Sequence, residues 1–254
     1  PDDYKVIRKL ESEGQLTIRI AYNLFTQRPK EELDDFRKWT QNSRYGEGSD
    51  FLRHNGAGEM LVFSAADFED FLEPRPELPP AMEDELEHVV KFLVSNRWPF
   101  RLHATYDESI SRMLNVFEKV NAEIPFDVLP WFFDHAETIS PKNIDRVAAL
   151  GGGIAVQHRM AYQGEYFAER YGKEATAHTP PIRRMLATGL PVGAGTAAPR
   201  VARYNPRVCL SRMVPGTTPG RSPLYGLANI LHRDESLPPS PDGRPWFPPP
   251  PSHT

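Results

Sequence analysis

Short apolar runs alternate with amphipathic stretches of helical period through most of this 254-residue chain, and that alternation constrains the fold more than any other feature. Six segments read as strands: Leu16 to Leu24, Gly56 to Phe63, Trp98 to Thr105, Trp131 to Glu137, Ile154 to His158 and Leu190 to Thr196. Helical patterns fall between them. One is expected from Lys30 to Thr40, and Leu86, Val89, Val90 and Leu93 mark a second. Asp107 is placed to cap a third, in which Ile110, Met113, Leu114, Phe117 and Val120 form one apolar stripe of core character. Ser140-Pro141 opens a fourth, with Gly151-Gly152-Gly153 at its end, and Thr179-Pro180 opens a fifth that runs to Gly189. Strands and helices in this order imply an α/β fold with a parallel sheet and right-handed crossovers. A closed barrel needs eight strands, so the chain reads about two short. An open doubly wound sheet needs no further pair, but no glycine-rich phosphate loop follows any strand, which argues against nucleotide binding.

Two of the strand-like runs carry a histidine close to their C-terminal ends, His103 and His135, each followed by a helix. In a (β/α) barrel the C-terminal strand ends carry the chemistry, and neutral imidazole is the commonest protein metal ligand. The pair therefore reads as a candidate divalent-metal site, the plainer alternative being two unrelated histidines bonded to loop carbonyls.

A formal charge of −4 without a basic run gives no footprint for nucleic acid or an anionic membrane. Small-molecule ligands fit that balance. The single cysteine, Cys209, rules out an internal disulfide framework and suits a reducing, cytoplasmic setting. No apolar stretch approaches the roughly 20 residues a membrane helix needs. Because Pro1 rather than methionine opens the chain, an upstream segment is expected. From residue 237 to 254 proline recurs too densely for a helix or a central strand, so the domain is expected over 1–236 and a disordered tail beyond it, with a polyproline ligand as the alternative.

Four ordered segments, Leu102-His103-Ala104, Phe133-Asp134-His135-Ala136-Glu137-Thr138-Ile139, Ile154-Ala155-Val156-Gln157-His158 and Val192-Gly193-Ala194-Gly195-Thr196, resemble the metal-dependent amidohydrolases, in the branch of N-substituted formamide deformylases. The resemblance implies a TIM-like (β/α)8 barrel of which strands three to eight are visible, without the small β-sandwich that normally flanks it. It implies hydrolysis of an amide-type C–N bond at a divalent metal, zinc foremost, with His103 and His135 as the ligands after the fifth and sixth strands.

Three departures bear on activity. The His-x-His pair of the family's first strand is absent. Ala197 stands where the family has an aspartate that binds metal and accepts a proton. At the fourth-strand ligand position only Glu59 is available, since Arg53 stays protonated; Glu59 reads more readily as a loop carboxylate in a surface salt bridge. With Gln157, His158 and Tyr22 it joins the candidate substrate contacts, and Asp134 is expected on the side of its strand opposite His135. On two histidines alone, metal binding is expected to be weak and hydrolysis undetectable. A catalytically inactive barrel serving as a binding module is the alternative to an amidohydrolase, and a homodimer is a candidate assembly.

Overall fold

The computed structural model describes residues 2–68 and 70–197, together with Asn205, 216–218, Gly220, 222–224 and 229–231. After a helix α1 (Asp2–Ser12), β1 (Ile20–Leu24) leads through α2 (Glu32–Asn42) to β2 (Leu52–Ala57), and α3 (Met82–Ser95) leads to β3 (Phe100–Ala104). α4 (Asp107–Glu123), β4 (Trp131–His135), α5 (Pro141–Ala149) and β5 (Gly153–Gln157) continue the alternation. α6 (Arg159–Tyr171), α7 (Lys173–Thr176) and α8 (Ile182–Ala187) precede β6 (Val192–Gly195).

All neighbouring strands pair parallel, in the order β1-β2-β3-β4-β5-β6. A doubly wound sheet reverses its strand order at a switch point. This one never does, so its crossovers place the helices on a single face and leave the other as the lumen of an incomplete TIM-like barrel. Strand alternation separates the two faces. Phe100, Leu102 and Ala104 of β3, Trp131 and Phe133 of β4, and Ile154 and Val156 of β5 join the core formed with α3, α4 and α5. Arg101 and His103, at the intervening positions of β3, point to the lumen.

Phe117 sits at the centre of the helix-side layer, fully buried, its ring 5.5 Å from those of Phe100 and Phe133 and 5.1 Å from that of Trp131. The stripe expected along α4 is thus the side of that helix buried in the core. No described helix is long and apolar enough to cross a membrane.

Several boundaries differ from expectation. The first strand starts at Ile20, the first residue paired with β2, and Ile18 is exposed. The second strand lies earlier, at Leu52–Ala57, because Gly56 and Gly58 have φ of 106° and 116° and turn the chain out of the sheet; Met60, Leu61 and Val62 are buried as loop residues. Asp107 is the first residue of α4 rather than its cap, and its carboxylate accepts from Ser140 N at 2.6 Å and Asn143 Nδ2 at 2.7 Å, tying α4 to the start of α5. Ser140 caps α5 as expected, accepting from Asn143 N at 3.3 Å. The boundary at 236 and the proline-rich segment 237–254 lie outside the described residues.

Truncating Phe117 leaves a void that surrounding rings cannot fill, so Phe117→Ala should lower the unfolding free energy by about 3–5 kcal/mol. Urea denaturation checks this, and a loss below about 1 kcal/mol would contradict the packing described.

Candidate metal centre

β3 and β4 pair in register over five residues, with His103 opposite Asp134 and Ala104 opposite His135. Simple alternation would send His135 to the helix side with Trp131 and Phe133. Instead its φ is 81° and that of Ala136 is 49°, so the backbone turns into the left-handed region as the strand ends and the imidazole joins His103. The two ring centroids are 4.2 Å apart. Such a conformation at a non-glycine residue costs about 1–3 kcal/mol and persists only where neighbours enforce it. Ala136 N donates to Ala104 O at 2.7 Å and Thr138 N to Thr105 O at 3.1 Å, which hold the turn against β3.

Glu59 completes the group. Two residues past β2, its carbonyl accepts from His103 N at 2.9 Å, which fixes its backbone beside the first histidine. Its carboxylate faces both rings, Oε1 3.7 Å from His103 Nδ1 and Oε2 3.4 Å from His135 Nε2. The close approach depends on Gly58, where a Cβ would sit 2.1 Å from the Arg101 carbonyl oxygen. Burial raises the Glu59 pKa, but the two imidazoles outweigh that and hold the carboxyl well below the usual range. One ligand atom from each of Glu59, His103 and His135 lies within 4.8 Å of the others, a spacing and donor set that could hold a divalent metal ion. The surface salt bridge expected for Glu59 is not what the structure has: its carboxylate faces the two buried histidines.

The floor beneath carries a second pair of charges. Asp134 lies on the lumen face and takes a two-pronged interaction from Arg101, Nε donating to Oδ2 at 3.0 Å and Nη2 bonding Oδ1. The expected separation of Asp134 from His135 therefore fails, since the left-handed turn carries His135 round to the lumen side as well. Burial pushes the Asp134 carboxyl upward, and Arg101 opposes it.

The remaining expected residues divide. Gln157 ends β5 and donates from Nε2 to Glu137 Oε1 at 3.0 Å; both side chains are buried, and Gln157 Oε1 has no hydrogen-bond partner. His158 begins the turn into α6, fully buried, its ring 5.3 Å from that of Tyr162. Tyr22 is not brought to the centre. Its ring packs between Tyr4 at 5.1 Å and His54 at 5.4 Å, and its hydroxyl accepts from Arg8 Nη2 at 3.5 Å. Ala197 follows β6 with φ 46° and presents only a methyl group.

No sequence pattern marks Asp67. Its side chain is fully buried, burial pushes its carboxyl up to about 7, and Oδ2 accepts from Thr105 N at 2.8 Å and Tyr106 N at 3.0 Å. It lies in a loop without periodicity, and the sequence holds no signal of its position. Glu137 was legible only as part of the segment after His135.

The Amidohydrolase family model matches residues 1–239, and the chain belongs to that family. Among solved structures, an uncharacterized metal-dependent hydrolase from Pyrococcus horikoshii OT3 shares 19% identity with a TM-score of 0.68, over 92% of this chain and 47% of that one. Another uncharacterized metal-dependent hydrolase, from Pyrococcus furiosus, matches at 19% identity with a TM-score of 0.67 over the same shares. A guanine deaminase from C. acetobutylicum, solved with bound guanine, reaches 12% identity and 0.49 over 82% of this chain and 47% of that one. The first two establish a common fold. This chain spans about half the length of the solved structures it matches. No curated protein matches the sequence. The homodimer gains no support from these comparisons.

The Arg101–Asp134 pair gives a test of the lumen floor. Arg101→Met should destabilise the chain by about 3–5 kcal/mol by leaving the Asp134 charge buried alone, and Arg101→Met with Asp134→Leu should recover most of the loss. A carboxyl raised above its unfolded-state value penalises folding once it ionises. The Arg101→Met deficit should therefore be full at high pH and shrink as the pH falls through the folded pKa. Equal deficits across that range, measured by urea denaturation, would contradict the buried ion pair.

Proposed function

We propose that this chain holds one divalent ion, zinc foremost, on Glu59, His103 and His135, and that it hydrolyses the C–N bond of a small amide-type substrate. The single observation that carries the reading is the convergence of two imidazoles and one carboxylate, from three different strand ends, within 4.8 Å. A His₂Glu set with an open position is a recognised catalytic arrangement for zinc, so three protein ligands suffice where two left the site short. When bound, such an ion makes water acidic enough to attack near neutral pH and polarises the carbonyl under attack. The family membership supports hydrolysis, while the formamide deformylase branch rests on the motif resemblance alone.

The chain's own side chains then have definite tasks. His103 offers Nδ1 and His135 offers Nε2, both on rigid strand ends, and the anionic Glu59 offsets the cation's charge. Gln157 is held by Glu137 with its carbonyl oxygen bare and buried, an acceptor suited to an amide N–H on the substrate. His158 lines the same rim at the end of β5. What the site lacks is a proton acceptor at position 197. Removing such a base costs about 10²- to 10⁴-fold in rate, so turnover should be slow. The left-handed conformation at Ala197 is one that aspartate adopts more readily than most residues, so the carboxylate fits the local backbone. The same alanine favours a second reading, a barrel that binds amide-type small molecules without turning them over. A cytoplasmic location is the setting we assign, on the single cysteine.

Metal analysis after gel filtration from zinc or cobalt should give close to one equivalent, lost in a His103→Ala, His135→Ala double variant. The loaded chain should hydrolyse formamides, N-acyl amino acids or hydantoins slowly, and Ala197→Asp should raise that rate by about 10²- to 10⁴-fold. One equivalent of metal with no hydrolysis in either form would favour the binding module. No metal at all would overturn the reading.

A further inference from the structure

A carboxylate outside the three-residue centre is aimed at the far side of one of its histidines. His103 turns Nδ1 toward Glu59, which leaves Nε2 pointing the other way. Two oxygens stand opposite that nitrogen: Thr105 Oγ1 at 3.4 Å and Asp67 Oδ1 at 4.0 Å. Asp67 Oδ1 is buried without a hydrogen-bond partner, whereas Oδ2 is occupied by the backbone N–H groups of Thr105 and Tyr106. Those donors are two and three residues past His103, so the carboxylate is tied to the same strand end as the imidazole it faces. Phe68, next along the loop, packs edge-on against the His103 ring at 4.7 Å between centroids. The loop thus grips the ring on two sides.

We propose that Asp67 is a positioning residue for His103, accepting a hydrogen bond from its Nε2–H so that the Nδ1 lone pair is directed at the centre. This rests on the metal-centre reading above. An imidazole that ligates through one nitrogen must carry its proton on the other, and a carboxylate there fixes the tautomer, orients the ring and raises its basicity. The separation of 4.0 Å exceeds a hydrogen bond, and a small rotation of the ring toward the loop closes it. The two backbone bonds, with the Ser109 side chain beside them, hold Asp67 in place for that rotation.

Asp67→Asn separates this role from a purely structural one. The amide oxygen can still accept from Thr105 and Tyr106, but its NH₂ group then confronts the Nε2 proton, donor against donor. Affinity for Co(II), measured by competition with a chromophoric chelator on the full chain, should fall by about 10- to 100-fold in Asp67→Asn. The urea midpoint of the metal-free variant should match that of the parent. In the zinc-loaded parent, a ¹⁵N-edited spectrum should show a slowly exchanging downfield His103 Nε2 proton, and its loss from Asp67→Asn would agree. Asp67→Ala, which also removes the backbone bonds, should lose both affinity and stability. Parent-like affinity in Asp67→Asn, or an affinity loss matched by an equal loss of metal-free stability, would overturn the proposal. Cobalt binding that depends on Glu59, His103 and His135 but ignores Asp67→Asn would remove Asp67 alone. Absence of cobalt binding in the parent would remove the metal centre, and the role of Asp67 with it.

Discussion

The in-register pairing of β3 with β4 sets the height at which everything else in the site is built. Parallel strands place matched residues level with one another, so two runs that end in histidine one register step apart deliver both imidazoles to one rim. That pairing is secured from behind. Phe100, Phe117, Trp131 and Phe133 interlock on the helix side, and they leave little freedom for either strand to slide. A slip by one residue would exchange the lumen and helix faces, burying Arg101 among aromatic rings and turning His103 away from Glu59.

The lumen carries its charges in layers. Arg101 and Asp134 neutralise one another on the floor, and Glu59 faces two imidazoles above them. Isolated, the buried Asp134 carboxylate would be costly, and Arg101 offsets that cost; Glu59 is partly exposed and faces the two buried imidazoles. Asp67 Oδ1 and Gln157 Oε1 are buried nearby in the chain's strand-end layer, Asp67 facing His103 and Gln157 bonded to Glu137. Each is a buried acceptor with no hydrogen-bond partner, open to a donor on a neighbouring side chain or a ligand.

What the sequence made legible was whatever follows from period and punctuation. The runs ending at His103 and His135, the stripe from Ile110 to Val120 and the Ser140 cap are all local patterns, and the structure has each of them. Glu59 was legible as the one residue available at the fourth-strand position, but its approach to both imidazoles was not, because that depends on left-handed glycines and on a backbone bond to a strand about forty residues later in the chain. Asp67 is hidden for the same reason: its partners Thr105 and Tyr106 are nearly forty residues away, in a segment whose own pattern says only that a helix follows. Tyr22 shows a long-range neighbour of another kind. A tyrosine near a strand end suggests a rim contact, but helix α1, which no sequence pattern announced, lays Tyr4 and Arg8 against it.

The central claim is that Glu59, His103 and His135 together form one metal centre. X-ray absorption of the zinc-loaded chain tests it most directly, since imidazole rings give a distinctive outer-shell signal. The account predicts two imidazole nitrogens at about 2.0–2.1 Å with carboxylate and solvent oxygens at about 2.0–2.2 Å, and no sulfur. A sulfur scatterer at about 2.3 Å, which would bring in Cys209, or a shell with fewer than two imidazoles, would contradict it.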